Sequence, residues 1–154
     1  MRFLNKIVFV NSAHVRYAEI NLNGNVHLIG TQGVGKSTLL RALLFFYNAD
    51  KQKLGIPKEK KSFDDFYFEL SNSYIVYEVV RDESAFCVLL SKANGRTCFR
   101  FIDAPYCKDW LVDVSGEVTA EFSVIRSRLA GRYMSPVVDR YETYRDIIYG
   151  NHQG

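Results

Sequence analysis

Gly30, Gly35, Lys36 and Ser37 stand in the spacing G-x-x-x-x-G-K-[ST], the spacing of a phosphate-binding loop. The chemistry this allows is capture of a polyphosphate. Backbone N–H groups must converge on its oxygens from several sides, and a chain wraps that closely only where glycine admits unusual φ and ψ. Gly30, Gly33 and Gly35 supply that freedom, with Gln32 and Val34 between them. The loop is expected to run into a helix whose first amides and dipole favour negative charge. Lys36 would reach the β- and γ-phosphates, and the Ser37 hydroxyl would ligate Mg2+, which prefers hard oxygen ligands. Thr38 would cap the helix or contact the α-phosphate. The expected cofactors are ATP and Mg2+, although such a loop reads phosphates and not bases, so GTP fits equally. A plain glycine turn linking strand to helix would need neither Lys36 nor Ser37.

The flanking residues supply the elements such a loop requires. "NVHLIG" ahead of it is a short apolar run that reads as a buried strand. "KSTLLRALLFFY" has no Gly or Pro and reads as a core helix. Upstream, "KIVFV" and "AEINL" read as two strands, and Asn23-Gly24 as a tight turn into "NVHLIG". Downstream, "NADKQKLGIPKEKKSFDD" reads as an exposed loop. "FYFELSNSYIVYEVVRDESAFCVLLSKANGRTCFRFIDAP" then has the look of an antiparallel meander turning at "DES" and at Asn94-Gly95. "TAEFSVIRSRLAG" has helical spacing with Gly131 as its stop, and "SPVVDRYETYRDIIYG" reads as a further helix with Ser135 as N-cap and Pro136 in its first turn.

A nucleotide hydrolase also needs an acid at the end of a second apolar strand to hold Mg2+, and a base or polariser for water. Neither is evident. Asp103 in "FRFIDAP" follows a run interrupted by Arg100, and Asp139 in "SPVVDR" follows only two apolar residues. "VSGE" at 114–117 reads as an ordinary turn, and after the loop glutamine occurs only at Gln52 and Gln153. No residue is assigned a catalytic role.

"INLNGNVHLIGTQGVGKSTLLRALLFFY" resembles the N-terminal lobe of the SMC, RecF and MukB class of chromosome-maintenance ATPases, with Gln32-Gly33 at the Asn-Gly of the usual loop. "KSFDDFYFELSNSYIVYEVVRDESAFCVLL" and "YETYRDIIYG" are similar to segments of the large ATPase subunit of Wadjet-type bacterial condensins. The resemblance implies an α/β fold: a P-loop NTPase N-terminal lobe of ABC/SMC head type, with a mixed sheet and an antiparallel β-meander subdomain. It implies that residues 1–134 form this lobe and 135–154 a helix leading toward a coiled coil. Heads of this class are split, the signature motif, Mg2+-binding Asp and catalytic Glu lying in a C-terminal lobe. The chain is then expected to be a piece of a longer protein, binding nucleotide but hydrolysing it poorly. Its implied partners are that C-terminal lobe, a second head that closes on ATP, and DNA. The departure from the class is the missing Q-loop glutamine.

At 154 residues the chain suits one domain or slightly more, and its net charge of +3 says little about partners. Cys87, Cys98 and Cys107 have no metal-ligand spacing and read as reduced thiols in a cytoplasmic protein. The longest early apolar run, "IVFV", is too short for a signal-peptide core, and nothing later approaches a membrane span. Lys51, Lys53, Lys58, Lys60 and Lys61 read either as a solvated loop or as contacts to a DNA backbone. Asn11, Ser12 and His14 read either as turn and core residues or, through the resemblance, as neighbours of the nucleotide's base or ribose. Tyr74, Tyr77, Phe86 and Phe99 read as core. Two other functions stay open: a stand-alone nucleotide kinase with Arg126, Arg128 and Arg132 as a lid on a parallel sheet, and a non-enzymatic nucleotide-binding module.

Overall fold

Strands that bury both faces read as unbroken apolar runs rather than as alternation, and two such runs form the middle of this structure. In "KIVFV", Ile7 and Phe9 face one core while Val8 and Val10 face another. In "YIVYEVV", Ile75, Tyr77 and Val79 face the first core, and Tyr74 and Val76 the second. The computed structural model describes residues 2–22, 36–47, 67–93, 95–118, 121–129, 131, 133–138 and 143.

The elements are β1 (Arg2–Ser12), β2 (Val15–Asn21), α1 (Lys36–Tyr47), β3 (Tyr74–Arg81), β4 (Ser84–Ala93), β5 (Arg96–Ile102) and α2 (Phe122–Arg128), with a 3-10 turn at Lys108–Trp110. The strands form one five-stranded sheet in the order β2-β1-β3-β4-β5. Every neighbouring pair is antiparallel.

This overturns the expected α/β P-loop NTPase lobe with a mixed sheet. Among the described residues the sheet contains no parallel pair and is accompanied by only two short helices. The physical reason lies in the connections. Ala13-His14, Asp82-Glu83 and residues 94–95 are two-residue links closing the pairs Ser12–Val15, Arg81–Ser84 and Ala93–Arg96, and a link that short joins only antiparallel strands. Asp82 and Gly95 take the positive φ such tight turns require, at +56° and +77°. The strand expected at "NVHLIG", its Asn23-Gly24 turn and the 48–65 loop lie outside the described residues.

α1 covers one face of the sheet. Leu39, Ala42, Leu43, Phe45 and Phe46 recur at helical spacing and are buried with Leu4, Ile7, Phe9, Tyr77, Val88, Leu90 and Phe99. Burying each large side chain of this set stabilises the fold by roughly 1.5–3 kcal/mol. Phe45 stacks on Phe99 with centroids 6.1 Å apart, and Phe46 tilts against Tyr77 at 5.0 Å. The core reading of Tyr74, Tyr77 and Phe99 holds, and Phe86 is half-buried beside them.

The opposite face is covered by residues 104–118 and 121–129, through Ala104, Trp110, Leu111, Ile125 and Leu129. Glu78 is buried here within an apolar strand, and both its carboxylate oxygens are used. Asn5 Nδ2 donates to one at 2.7 Å and the Tyr106 backbone N–H to the other at 2.7 Å. Asn5 sits at a register shift between Leu4 and Lys6, which frees its side chain for this bond. The Arg100 guanidinium lies 4.2 Å from the Phe122 ring centroid and ties α2 to β5.

Three expectations change in detail. "FYFE" is not a strand: Tyr67 is helical and Tyr67 and Phe68 are buried in the α1-side core. The helix expected from Ser135 does not begin there. Residues 135–138 run extended along β5, with Val138 bonded both ways to Phe99 and Ser135 to Phe101, although Thr143 is helical. β5 needs partners for its outer backbone groups, and this segment supplies them. "TAEFSVIRSRLAG" does form a helix, but only over Phe122–Arg128. "VSGE" is the ordinary turn expected of it: Asp113 Oδ1 accepts from the Ser115 N–H and hydroxyl and from the Glu117 N–H. Those bonds hold the exposed Asp113 carboxyl below its usual range.

The Tyr17 and Tyr106 hydroxyls share a 2.7 Å hydrogen bond on the second face. Burial pushes Tyr17 from its ordinary 10 up to about 12 and raises Tyr106 as well. A raised folded-state pKa means that the native state holds its proton more tightly than the unfolded chain. The contribution is therefore complete below the unfolded pKa of about 10 and is lost as pH rises through about 12. Urea titrations across pH 9 to 12 (about three units) should show stability falling, and Tyr17→Phe should flatten that fall. An unchanged slope in Tyr17→Phe would contradict the coupling.

Candidate functional site

The motif's Lys36 and Ser37 lie in α1, described over Lys36–Tyr47. They are its first two described residues. Its first turn contains no acidic residue, so no carboxylate competes there with an incoming anion. Gly30, Gln32, Gly33, Val34 and Gly35 lie outside the described residues.

Two tyrosine hydroxyls fix this helix on the sheet. Tyr67 donates to the Thr38 carbonyl at 2.6 Å, and Tyr77 to the Ala42 carbonyl at 2.8 Å. Thr38 and Ala42 are four apart and so share a helix face. Each bond therefore sets both the rotation of α1 and its height above the strands. Thr38 is half-buried, and its backbone takes part in the anchor. The Tyr67 ring stacks on Phe9 of β1, centroids 6.4 Å apart. Burial pushes the Tyr67 hydroxyl far above its ordinary pKa, against a smaller opposing effect of Arg41, so Tyr67 remains a protonated donor.

The segment 67–73 carries this anchor to the β1–β2 hairpin. The Ser73 hydroxyl donates to the Asn11 carbonyl. Asn11 Nδ2 donates to the Asn72 carbonyl at 3.2 Å, and His14 Nδ1 lies 3.7 Å from a Glu69 carboxylate oxygen. The start of α1, segment 67–73 and residues 11–14 thus meet at one end of the sheet. Asn11, Ser12 and His14 belong to this corner.

The two carboxylates considered for Mg2+ are not brought to it. Asp103 follows Ile102, which lies in the cross-sheet row of Cys87, Glu78 and Lys6, several residues along the strands from the Asn11 end. It is exposed and lines a separate cleft of about 570 Å³ with Arg81, Phe86 and Phe101. Asp139 lies outside the described residues, as do Gln52, Gln153 and the five lysines of 51–61. Among the described residues, no group of three or more His, Cys, Asp or Glu side chains is arranged to hold a metal. The hydroxyl and ammonium types at the start of α1 nevertheless fit a Mg2+–phosphate ligand, which takes most of its coordination from phosphate oxygens and water. Cys87, Cys98 and Cys107 are free thiols. No described helix is long and apolar enough to cross a membrane.

The sequence reading missed Tyr67, Tyr77's hydroxyl role and Glu78. Glu78 had a signal, being a lone acid in an apolar strand. Tyr67 had none, because its partner is a backbone carbonyl distant in sequence.

A protein-family model described as "Protein of unknown function (DUF3584)" matches residues 12–152. Membership of that family loosely suggests the SMC-like relation and carries nothing specific to the Wadjet type. No curated protein and no solved structure matches.

Tyr67→Phe keeps the ring stack and removes only the hydroxyl. It should lower unfolding stability by about 1 kcal/mol and speed amide exchange in the first turn of α1 beyond that in the last. Equal exchange along α1 in the variant and the parent would contradict the anchor.

Proposed function

We propose that this chain, which belongs to the DUF3584 family, binds the triphosphate of a nucleotide, taken as ATP with Mg2+, through residues 30–38. In this reading it is the nucleotide-binding half of an SMC-like DNA-associated ATPase, and within that class a relative of the large subunit of Wadjet-type condensins. Gly30, Gly33 and Gly35 with the amides around Gln32 and Val34 form the cradle. Lys36 pairs with the β- and γ-oxygens, and Ser37 offers its hydroxyl to the metal. The bound Mg2+ would neutralise phosphate charge.

The observation that carries this reading is that the motif's Lys36 and Ser37 belong to α1, which Tyr67 pins one residue beyond Ser37, at Thr38. A phosphate cradle needs its helix amides held still, since their order is then established before the ligand arrives. The reading rests on this loop and helix start and not on an α/β lobe. The all-antiparallel described sheet is also unlike the parallel sheet that a stand-alone nucleotide kinase would use.

Hydrolysis would need an acid and a signature loop from elsewhere, because Asp103 points to no metal role at this corner. The C-terminal lobe of the same protein and a second head are the proposed sources, with DNA the proposed substrate surface. The chain alone is then a binder with negligible turnover.

Titration calorimetry with Mg-ATP should show uptake by the chain and at least a tenfold loss of affinity in Lys36→Ala, the scale of one charge-assisted contact. Absence of uptake, or equal uptake by Lys36→Ala, would overturn the assignment.

A further inference from the structure

A cleft of about 570 Å³ opens on the α1 side of the sheet, at the end where β1 begins and away from Asn11. Its floor is aromatic. Phe86 and Phe101 are half-buried there with ring centroids 6.4 Å apart, and both pack against the α1-side core. One wall is the extended segment 133–138, which leaves Tyr133 64% and Val137 49% exposed. Large apolar side chains gathered at a surface, rather than scattered over it, mark contact sites. The wall is fixed before anything binds. The Tyr133 carbonyl accepts from the Asp103 N–H at 3.0 Å, the Phe101 carbonyl accepts from the Ser135 N–H at 2.8 Å, and Val138 and Phe99 exchange bonds of 2.7 Å. A surface already ordered loses less entropy when a partner arrives.

A second cleft, of about 480 Å³, adjoins the first and shares Ser84, Ala85 and Asp103 with it. Its lining has the opposite character, because Asp82 and Glu83 join Asp103 there. Three exposed carboxylates thus border the apolar hole, against the single guanidinium of Arg81. That balance repels phosphate-rich surfaces, whether nucleic acid or anionic lipid, and attracts a cation. The occupant must therefore carry an apolar group for the Phe86–Phe101 floor and a positive charge next to it. Neighbouring side chains of a polypeptide do this, and its backbone can cross the rim at Ser84 and Ala85 that the two clefts share.

We propose that these joined clefts dock a polypeptide segment in which a large apolar side chain stands beside a lysine or arginine. The apolar side chain fills the space bordered by Phe86, Phe101 and Tyr133, and its burial supplies most of the affinity. The neighbouring cation lies among Asp82, Glu83 and Asp103. Exposed charge pairs add little to affinity but select the partner. The site is independent of the phosphate-loop reading, since the hairpin at 11–14 lies at the other end of the strands.

Nuclear magnetic resonance titration of the intact chain with the capped peptide acetyl-Gly-Ser-Phe-Lys-Ser-Gly-amide tests this. Amide shifts should move at 81–86, 101–103 and 133–138. The same peptide with Ala for Phe should bind about tenfold more weakly, the scale of a lost anchor. The peptide with Glu for Lys should bind about fivefold more weakly at low salt, the scale of an exposed ion pair. In the chain, Asp103→Lys should weaken the parent peptide about fivefold, whereas Arg81→Ala should leave its binding unchanged or tighter. No shifts at these residues, equal binding of the Glu peptide, or equal binding by Asp103→Lys would overturn the proposal. Phenethylamine binding as tightly as the peptide would also overturn it, because the clefts would then take small amines.

Discussion

Everything at the amino end of α1 is held in place by what happens further along its length. Leu39, Ala42, Leu43, Phe45 and Phe46 bury one stripe of the helix against the sheet. That stripe supplies adhesion but little positional precision, because apolar contact is non-directional. Direction comes from two hydroxyls. Tyr67 and Tyr77 each reach a helix carbonyl, one turn apart, and a hydrogen bond tolerates little misplacement. The pairing of a greasy stripe with two directional bonds converts an ordinary core helix into one whose first turn has a defined place.

Segment 67–73 extends that order to a second element. It contributes Tyr67 to α1 and Asn72 and Ser73 to the end of β1. The hairpin at 11–14 and the helix start therefore share one support, so a group bound at either would be felt at the other. The opposite face of the sheet works differently. There Glu78 satisfies both oxygens on Asn5 and Tyr106, and the Tyr17–Tyr106 pair closes a polar patch beside Trp110. Among the described residues, one buried side-chain hydroxyl, that of Ser12, has no hydrogen-bond partner.

Much of the fold was legible in the residues. The apolar runs of β1 and β3, the turns at Asp82-Glu83 and before Arg96, and α1 from Lys36 to Tyr47 could all be read from local pattern, because each depends on neighbours in sequence. The sheet's overall character could not. Resemblance to an ABC-type head suggested a mixed sheet, while the order β2-β1-β3-β4-β5 follows from which runs pair across the α1 insertion, a choice that local pattern does not encode. The extended course of 135–138 was hidden for a similar reason. Ser135 and Pro136 make a good helix start in isolation, but the outer edge of β5 offered Phe99 and Phe101 as backbone partners, and long-range pairing won. At the candidate site the phosphate motif was plain from spacing alone. Tyr67 and the left-handed backbone of Asn11 were not, since one is a contact across distant residues and the other a conformation that asparagine only tolerates.

The most direct measurement is hydrogen–deuterium exchange of the intact chain with and without Mg-ATP, resolved by peptide. If the phosphate loop is served by a helix start fixed through Tyr67, added nucleotide should slow exchange in peptides spanning 30–40, 67–73 and 9–15, and leave β4, β5 and α2 unchanged. Protection spread evenly over the sheet, or none at 30–40, would contradict the account.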